Sequence, residues 1–175
     1  MLTIAGIPAH PLIVHAVVVL LPLAAVGTVL VAARPVWRRQ LGVWVLLLTF
    51  AGVASVPVAT QTGEQLEHTL GSSPLIKIHE DRAGTLLIPA LIFLVLLAAT
   101  VFVGRRFDAA APVDGPGAAH AATTTTTTTD TATLRRVTTI VGVLAALAGL
   151  VVMGLVTWIG HAGATAVWSG VTGAG

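Results

Sequence analysis

The chain contains no cysteine and no tyrosine, and charged residues make up only 9% of its 175 positions. Without cysteine there is no disulfide, no thiolate ligand for zinc or an iron–sulfur cluster, and no cysteine nucleophile. Any metal or haem must therefore be held by histidine, carboxylate or methionine. Soluble domains carry roughly 25% charged residues, so this chain has too few charges to cover a globular surface in water.

Hydrophobic residues are abundant instead, at 55% of the chain with a mean hydropathy of +0.95. Such a composition predicts that most of the surface faces lipid. The sequence pI near 10.5 reflects a net charge of only +2. The basic residues stand at the ends of apolar runs, and no basic face is interleaved with aromatics, so we do not expect nucleic acid as a partner.

Four apolar runs are long enough to cross a membrane. A bilayer core of about 30 Å needs about 20 helical residues, because every backbone polar group must be satisfied within the segment. The runs, each free of Asp, Glu, Lys and Arg, cover residues 11–33, 41–60, 83–104 and 137–160. We predict an all-α, polytopic membrane protein, with the spans forming a four-transmembrane-helix up-down bundle.

Arginines fix the expected orientation of these spans. Seven lie in the connections after the first and third spans, namely Arg34, Arg38, Arg39, Arg105, Arg106, Arg135 and Arg136. Only Lys77 and Arg82 lie on the other side. Because basic loops stay in the cytosol, both termini and residues 61–82 are expected to be extracytoplasmic.

The two long connections differ in character. In the outer one, Thr62 and Gln65 form a capping box and Gly71 supplies a stop, which predicts a short helix over Gly63–Leu70. Ser73 followed by proline is typical of the start of the next helix. The inner connection, residues 107–133, is rich in proline, glycine and threonine, and its composition predicts a disordered cytoplasmic linker.

The predicted topology gathers histidines at one membrane face. Five of the six share the outer side, namely His10, His15, His68, His79 and His161, while His120 falls in the inner linker. Glu64, Glu67, Glu80 and Asp81 accompany them. Imidazole and carboxylate are the ligands for zinc, iron or copper where thiolate is absent. The pattern therefore predicts a candidate haem or metal site.

The position of each histidine suggests a different role. His15 lies inside the first run and His79 on the stripe of its helix that also holds Leu86 and Ala90, so both are expected to point into the bundle. We assign them as axial ligands of a haem b, with His10, His68 or His161 as alternates. Of these, His10 matches the depth of His79 better than His15 does. A hydrogen-bonded structural histidine explains each position equally well.

A divalent metal is the other candidate cofactor, held by His10, Glu64, His68 and His161. Glu64 and His68 are four residues apart and share one helical face, although such pairs are common on exposed helices. His10, placed before a proline at a helix start, has a capping role as its simpler interpretation. His161 ends the fourth span, where interfacial residues are usual.

Three motifs carry a resemblance to a known family. Residues 6–15 read Gly-Ile-Pro-Ala-His-Pro-Leu-Ile-Val-His, residues 57–64 read Pro-Val-Ala-Thr-Gln-Thr-Gly-Glu, and residues 79–84 read His-Glu-Asp-Arg-Ala-Gly. Together they resemble bacterial predicted membrane proteins of the domain-of-unknown-function 2231 family, over roughly the first three spans. The fourth span matches only as a generic helix, and the linker departs from the pattern.

The resemblance implies a small four-helix module of the bacterial plasma membrane, joined in some relatives to a Rieske-type iron–sulfur domain and without an assigned activity. A redox setting is thereby suggested. Because cysteine is absent from this chain, an iron–sulfur centre is implied only in a partner protein.

Three functions remain open at the level of sequence. The first is an electron-transfer site that binds haem b or a metal, and the second is a non-catalytic accessory or assembly subunit of a membrane complex. A solute or proton pathway ranks last, because His15 is the only ionisable residue well inside a span. No nucleophile elbow, P-loop or metalloprotease motif is present, so we do not expect an enzyme.

The topology is tested by reporter fusion. We expect an alkaline phosphatase domain inserted within residues 62–77 to be active, because this segment lies outside the cytosol. The same domain inserted in the 107–133 linker should be inactive. Activity in the reverse pattern would invert the predicted orientation and move the histidines to the cytoplasmic face.

Overall fold

The computed structural model describes residues 2–110 and 128–169 of the chain. Its elements are β1 (Thr3–Ile4), β2 (Ile7–Pro8), α1 (Ala9–Ala33), α2 (Pro35–Leu70), α3 (Pro74–Gly84), α4 (Leu87–Ala110) and α5 (Thr128–Trp168). β1 and β2 form a small antiparallel hairpin that leads into α1. The other elements of the described chain are all helices, joined by short connections.

Four spans long and apolar enough to cross a membrane are formed by α1, by α2, by α3 and α4 together, and by α5. This confirms the all-α, polytopic membrane fold. α1 packs against α2 and α5, and α4 packs against the same two helices. The spans therefore stand in the ring order α1, α2, α4, α5, with α1 and α4 on a diagonal.

Successive spans run in opposite directions, so the bundle has two chemically distinct ends. The histidine end holds His10, the end of α2 from Ala59 onward, all of α3, and the end of α5 from Ile159 onward. The arginine end holds the α1–α2 connection, the end of α4 and the start of α5. Each end collects residues that are far apart in the sequence.

The apolar side chains divide into a core and a lipid-facing surface. Leu21, Phe93, Leu97 and Val152 are fully buried between the spans. Large apolar side chains also cover the outside of the bundle, where more than half of the surface is exposed at Val19, Leu23, Val26, Leu47, Phe50, Ile92, Val95, Leu147 and Val151. A belt of this kind fits the hydrocarbon of a bilayer.

Small residues bring the spans close together. Gly149 of α5 is buried so tightly that a β-carbon there would lie 3.0 Å from Phe93 and 3.2 Å from the backbone of Ala25. Gly142 and Ala145 of the same span are also buried. In the second span the close contacts come from Gly42 and Gly52, whereas Ala51 is exposed.

The connection between the second and third spans differs from the predicted one. α2 continues without a break to Leu70, so the predicted short helix is the last part of the second span. The Thr62 hydroxyl does not cap a helix start, because it donates to the carbonyls of Val58 and Ala59 in the preceding turn. The stop at Gly71, with φ of 89°, is confirmed.

The next helix begins as predicted, since Ser73 Oγ accepts a hydrogen bond from the backbone N–H of Ile76. The predicted linker is shorter than residues 107–133, because 107–110 belong to α4 and 128–133 to α5. The remaining positions, 111–127, lie outside the described residues, so disorder there stays a prediction.

The close contact at Gly149 predicts a steep cost for one methyl group. We expect Gly149→Ala to destabilise the bundle by about 1–3 kcal/mol, because the helix pair must separate to admit the β-carbon. Thermal unfolding in detergent, followed by tryptophan fluorescence, measures the loss. Gly154→Ala is the matched control, since nothing lies within 4 Å of a β-carbon there. Equal stability of the two variants would contradict the packing.

Candidate functional site

His10 lies in the first turn of α1 and is half-buried against α2. Its Nδ1 is 2.9 Å from the carbonyl oxygen of Ala59, and 3.5 Å from the Thr62 hydroxyl oxygen. A carbonyl oxygen only accepts, so the Nδ1–H of His10 donates this bond. In the neutral ring the proton is thereby placed on Nδ1, and Nε2 keeps its lone pair.

His79 is held in the same way at the other side of the bundle. It lies on α3, is half-buried, and its Nδ1–H donates to the carbonyl oxygen of Ile159 on α5 over 3.1 Å. The neutral ring again leaves Nε2 as the nitrogen with a free lone pair. His79 thus points inward, as its helical stripe predicted.

Each imidazole rests on a glycine of the helix that accepts its hydrogen bond. A β-carbon at Gly63 would lie 3.0 Å from Cε1 of His10, and one at Gly163 would lie 3.0 Å from Cε1 of His79. These distances are shorter than ordinary van der Waals contact. Glycine therefore provides the space in which each ring reaches the backbone of its neighbouring helix.

Both imidazoles belong to the histidine end, where His10 is held against α2 and His79 against α5. Beside His79, the guanidinium of Arg82 stacks over the Trp158 ring at 4.4 Å from its centroid. This cation–π contact ties α3 to α5 next to the His79–Ile159 hydrogen bond.

His15, which we expected to face the bundle interior, is exposed. Its Nδ1–H donates to the carbonyl of Pro11 in the same helix over 2.6 Å. The expectation was wrong because depth does not determine direction. His15 follows His10 by five residues, about 140° around the helix, and so points away from the inward face.

The other candidate ligands lie on the surface of the histidine end. Glu64 and His68 are exposed and line one open groove together with Glu67 and Glu80. His161 is exposed on α5. Among residues 2–110 and 128–169, no group of three or more histidine or acidic side chains is arranged to hold a metal ion. His120 is outside this part of the chain.

The structure therefore gives His10 and His79 matching anchors on neighbouring helices, whereas Glu64, His68 and His161 are exposed. The sequence interpretation missed the residues that position the rings. Gly63 stands within one of the quoted motifs, but nothing in the sequence pairs it with His10. Gly163 gives no signal of its own, because a glycine at a helix end is common.

The described residues define a polytopic α-helical membrane protein with two half-buried histidines held at one end of a four-span bundle. The chain belongs to the family of predicted membrane proteins designated DUF2231, whose pattern it matches over residues 6–174. The match includes the fourth span, beyond the motifs quoted above. No curated protein and no solved structure matches the chain.

The bond from His10 to Ala59 predicts a measurable contribution to stability. We expect His10→Ala to lower the free energy of unfolding by about 1–2 kcal/mol, because it removes a hydrogen bond between helices and leaves a gap over Gly63. Thermal unfolding in detergent measures the loss. His15→Ala should change little, since His15 is exposed and bonded only within α1. A larger effect at position 15 would contradict the geometry.

Proposed function

We propose that this membrane protein binds a haem b at the histidine end, where Nε2 of His10 and Nε2 of His79 would hold the iron, and serves as a one-electron carrier. The observation that carries the proposal is the shared anchoring of the two rings. Each Nδ1–H is bonded to a backbone carbonyl, which leaves Nε2 of each neutral imidazole as a donor for iron.

The donor set suits a haem better than a free metal ion. A porphyrin supplies four nitrogens to its iron and leaves positions for up to two protein ligands, which matches the two anchored imidazoles. A hydrogen bond from Nδ1–H to a carbonyl also fixes the ring of an iron-ligating histidine and raises its basicity. When bound, the haem would supply reversible one-electron chemistry.

The positions of the two histidines support a group between them. His10 is on α1 and His79 is on α3, which leads into the diagonal helix α4. The two rings therefore come from opposite sides of the ring of spans. His10 takes the place that the sequence interpretation gave to His15, whose ring is exposed on the outer surface of α1.

Charges on α3 suit the two propionates that a haem carries. Lys77 is exposed, and Arg82 lies three residues after His79, with its guanidinium already held over Trp158. In the proposed orientation this end faces the extracytoplasmic side of the plasma membrane. A redox protein at that face would then be the electron partner.

A second candidate function is a non-catalytic subunit that assembles with other membrane proteins. It is favoured by the same hydrogen bonds, which join residues 49 and 80 positions apart in the chain and so act as links between helices. In that case the histidines stabilise the bundle and bind nothing. A purified chain that is folded, free of haem and destabilised by His10→Ala would support this alternative.

Haem binding is tested on the purified full-length protein. We expect a Soret band and one haem per chain after expression with haem available. His10→Ala and His79→Ala should each lose the low-spin six-coordinate spectrum, because each removes one axial ligand. His15→Ala, His68→Ala and His161→Ala are matched controls on exposed histidines and should retain it. A wild-type protein without Soret absorption would rule out the proposal.

A further inference from the structure

The His10 and His79 sites repeat one another atom by atom. A β-carbon at Gly63 would lie 3.0, 3.2 and 3.7 Å from Cε1, Nδ1 and Nε2 of His10. One at Gly163 would lie 3.0, 3.1 and 3.7 Å from the same atoms of His79. In each site the accepting carbonyl, of Ala59 or Ile159, stands four residues before the glycine.

Contacts at the arginine end also match between the two halves of the chain. A β-carbon at Gly42 on α2 would lie 3.2 Å from the side chain of Val101 on α4, and one at Gly142 on α5 would lie 3.4 Å from Ala32 on α1. Gly42 and Gly142 are 100 residues apart, as are Gly63 and Gly163. Ala32 and Val101 are 69 apart, as are His10 and His79. Contacts at both ends of the bundle thus give the same two residue offsets, which are 100 between α2 and α5 and 69 between α1 and the α3–α4 span.

Between the two ends, positions related by these residue offsets are buried in both halves of the chain. Buried positions of α2 recur as buried positions of α5 in the pairs Arg38/Thr138, Gly42/Gly142, Val45/Ala145, Thr49/Gly149, Gly52/Val152, Val56/Val156 and Thr62/Ala162. Those of α1 recur in the α3–α4 span in the pairs Val17/Leu86, Leu21/Ala90, Ala24/Phe93, Thr28/Leu97 and Val31/Thr100. The two halves therefore share one packing pattern.

The relation between the halves is a rotation. The rotation exchanges α1 with the α3–α4 span and α2 with α5, and the two members of each exchanged pair run in the same direction. It maps the contact between α1 and α2 onto the contact between α4 and α5. It also maps the contact between α1 and α5 onto the contact between α4 and α2. Both requirements are met by a pseudo-two-fold axis parallel to the bundle, as in parallel membrane repeats.

We infer that the chain is an internal repeat of two-span hairpins and that His10 and His79 are equivalent ligands of one group centred on the pseudo-two-fold axis. Gly63 and Gly163 are the matching positioning residues, which set how far each imidazole reaches toward that axis. The inference rests on the proposed haem site and assigns its symmetry. It also explains why two histidines in dissimilar sequence surroundings have the same hydrogen bond.

The symmetry is tested on the haem-loaded full-length protein. We expect Gly63→Ala and Gly163→Ala to keep the haem but to shift the electron paramagnetic resonance g values of the ferric form, in the same direction and to a similar extent. Each methyl group displaces one ring and changes the angle between the imidazole planes. Gly160→Ala, where nothing lies within 4 Å of a β-carbon, should leave the g values unchanged.

A haem-free arm separates this inference from the proposed function. In ¹⁵N-histidine spectra of the apoprotein, His10 and His79 should both show Nδ1–H with unprotonated Nε2. Gly63→Ala should shift only the His10 signals and Gly163→Ala only those of His79, by similar amounts. If this pattern holds but no haem binds, the repeat stands and the haem proposal fails. If haem binds but only one glycine affects it, the equivalence is overturned and the haem site stands.

Discussion

Close contact between helices, made where side chains are small or absent, is the interaction on which the rest of this structure depends. In lipid, apolar side chains gain little by turning inward, so association relies on van der Waals packing and on polar contacts between helices. Gly149 against Phe93 and Gly42 against Val101 supply the first kind of contact. The hydrogen bonds of His10 and His79, at the opposite end of the bundle from Gly42, supply the polar contacts.

Close packing and a hydrogen bond between helices occur together at Gly63 and at Gly163. Because these residues have no side chain, an imidazole from another helix reaches the backbone and donates a hydrogen bond to it. The bond satisfies one ring nitrogen in a partly buried site and leaves the other with its lone pair. Packing of the bundle and the orientation of both rings therefore arise from the same contacts.

The sequence interpretation succeeded where one-dimensional signals are strong. Span number, the all-α fold, the stop at Gly71 and the start at Ser73 follow from apolar length and from local backbone chemistry. It failed where direction around a helix decides the outcome. His15 was placed inward from its depth alone, yet its side chain is exposed.

The amino-acid sequence by itself determined that the described residues form four helices long and apolar enough to cross a membrane, because a helix satisfies the backbone hydrogen bonds of each unbroken apolar run within the run itself. Only the tertiary structure decided which histidines are anchored between helices. His10 and His79 are held by carbonyl groups and glycines on two other helices. Those contacts join residues that are distant in the chain, so no local sequence pattern predicts them.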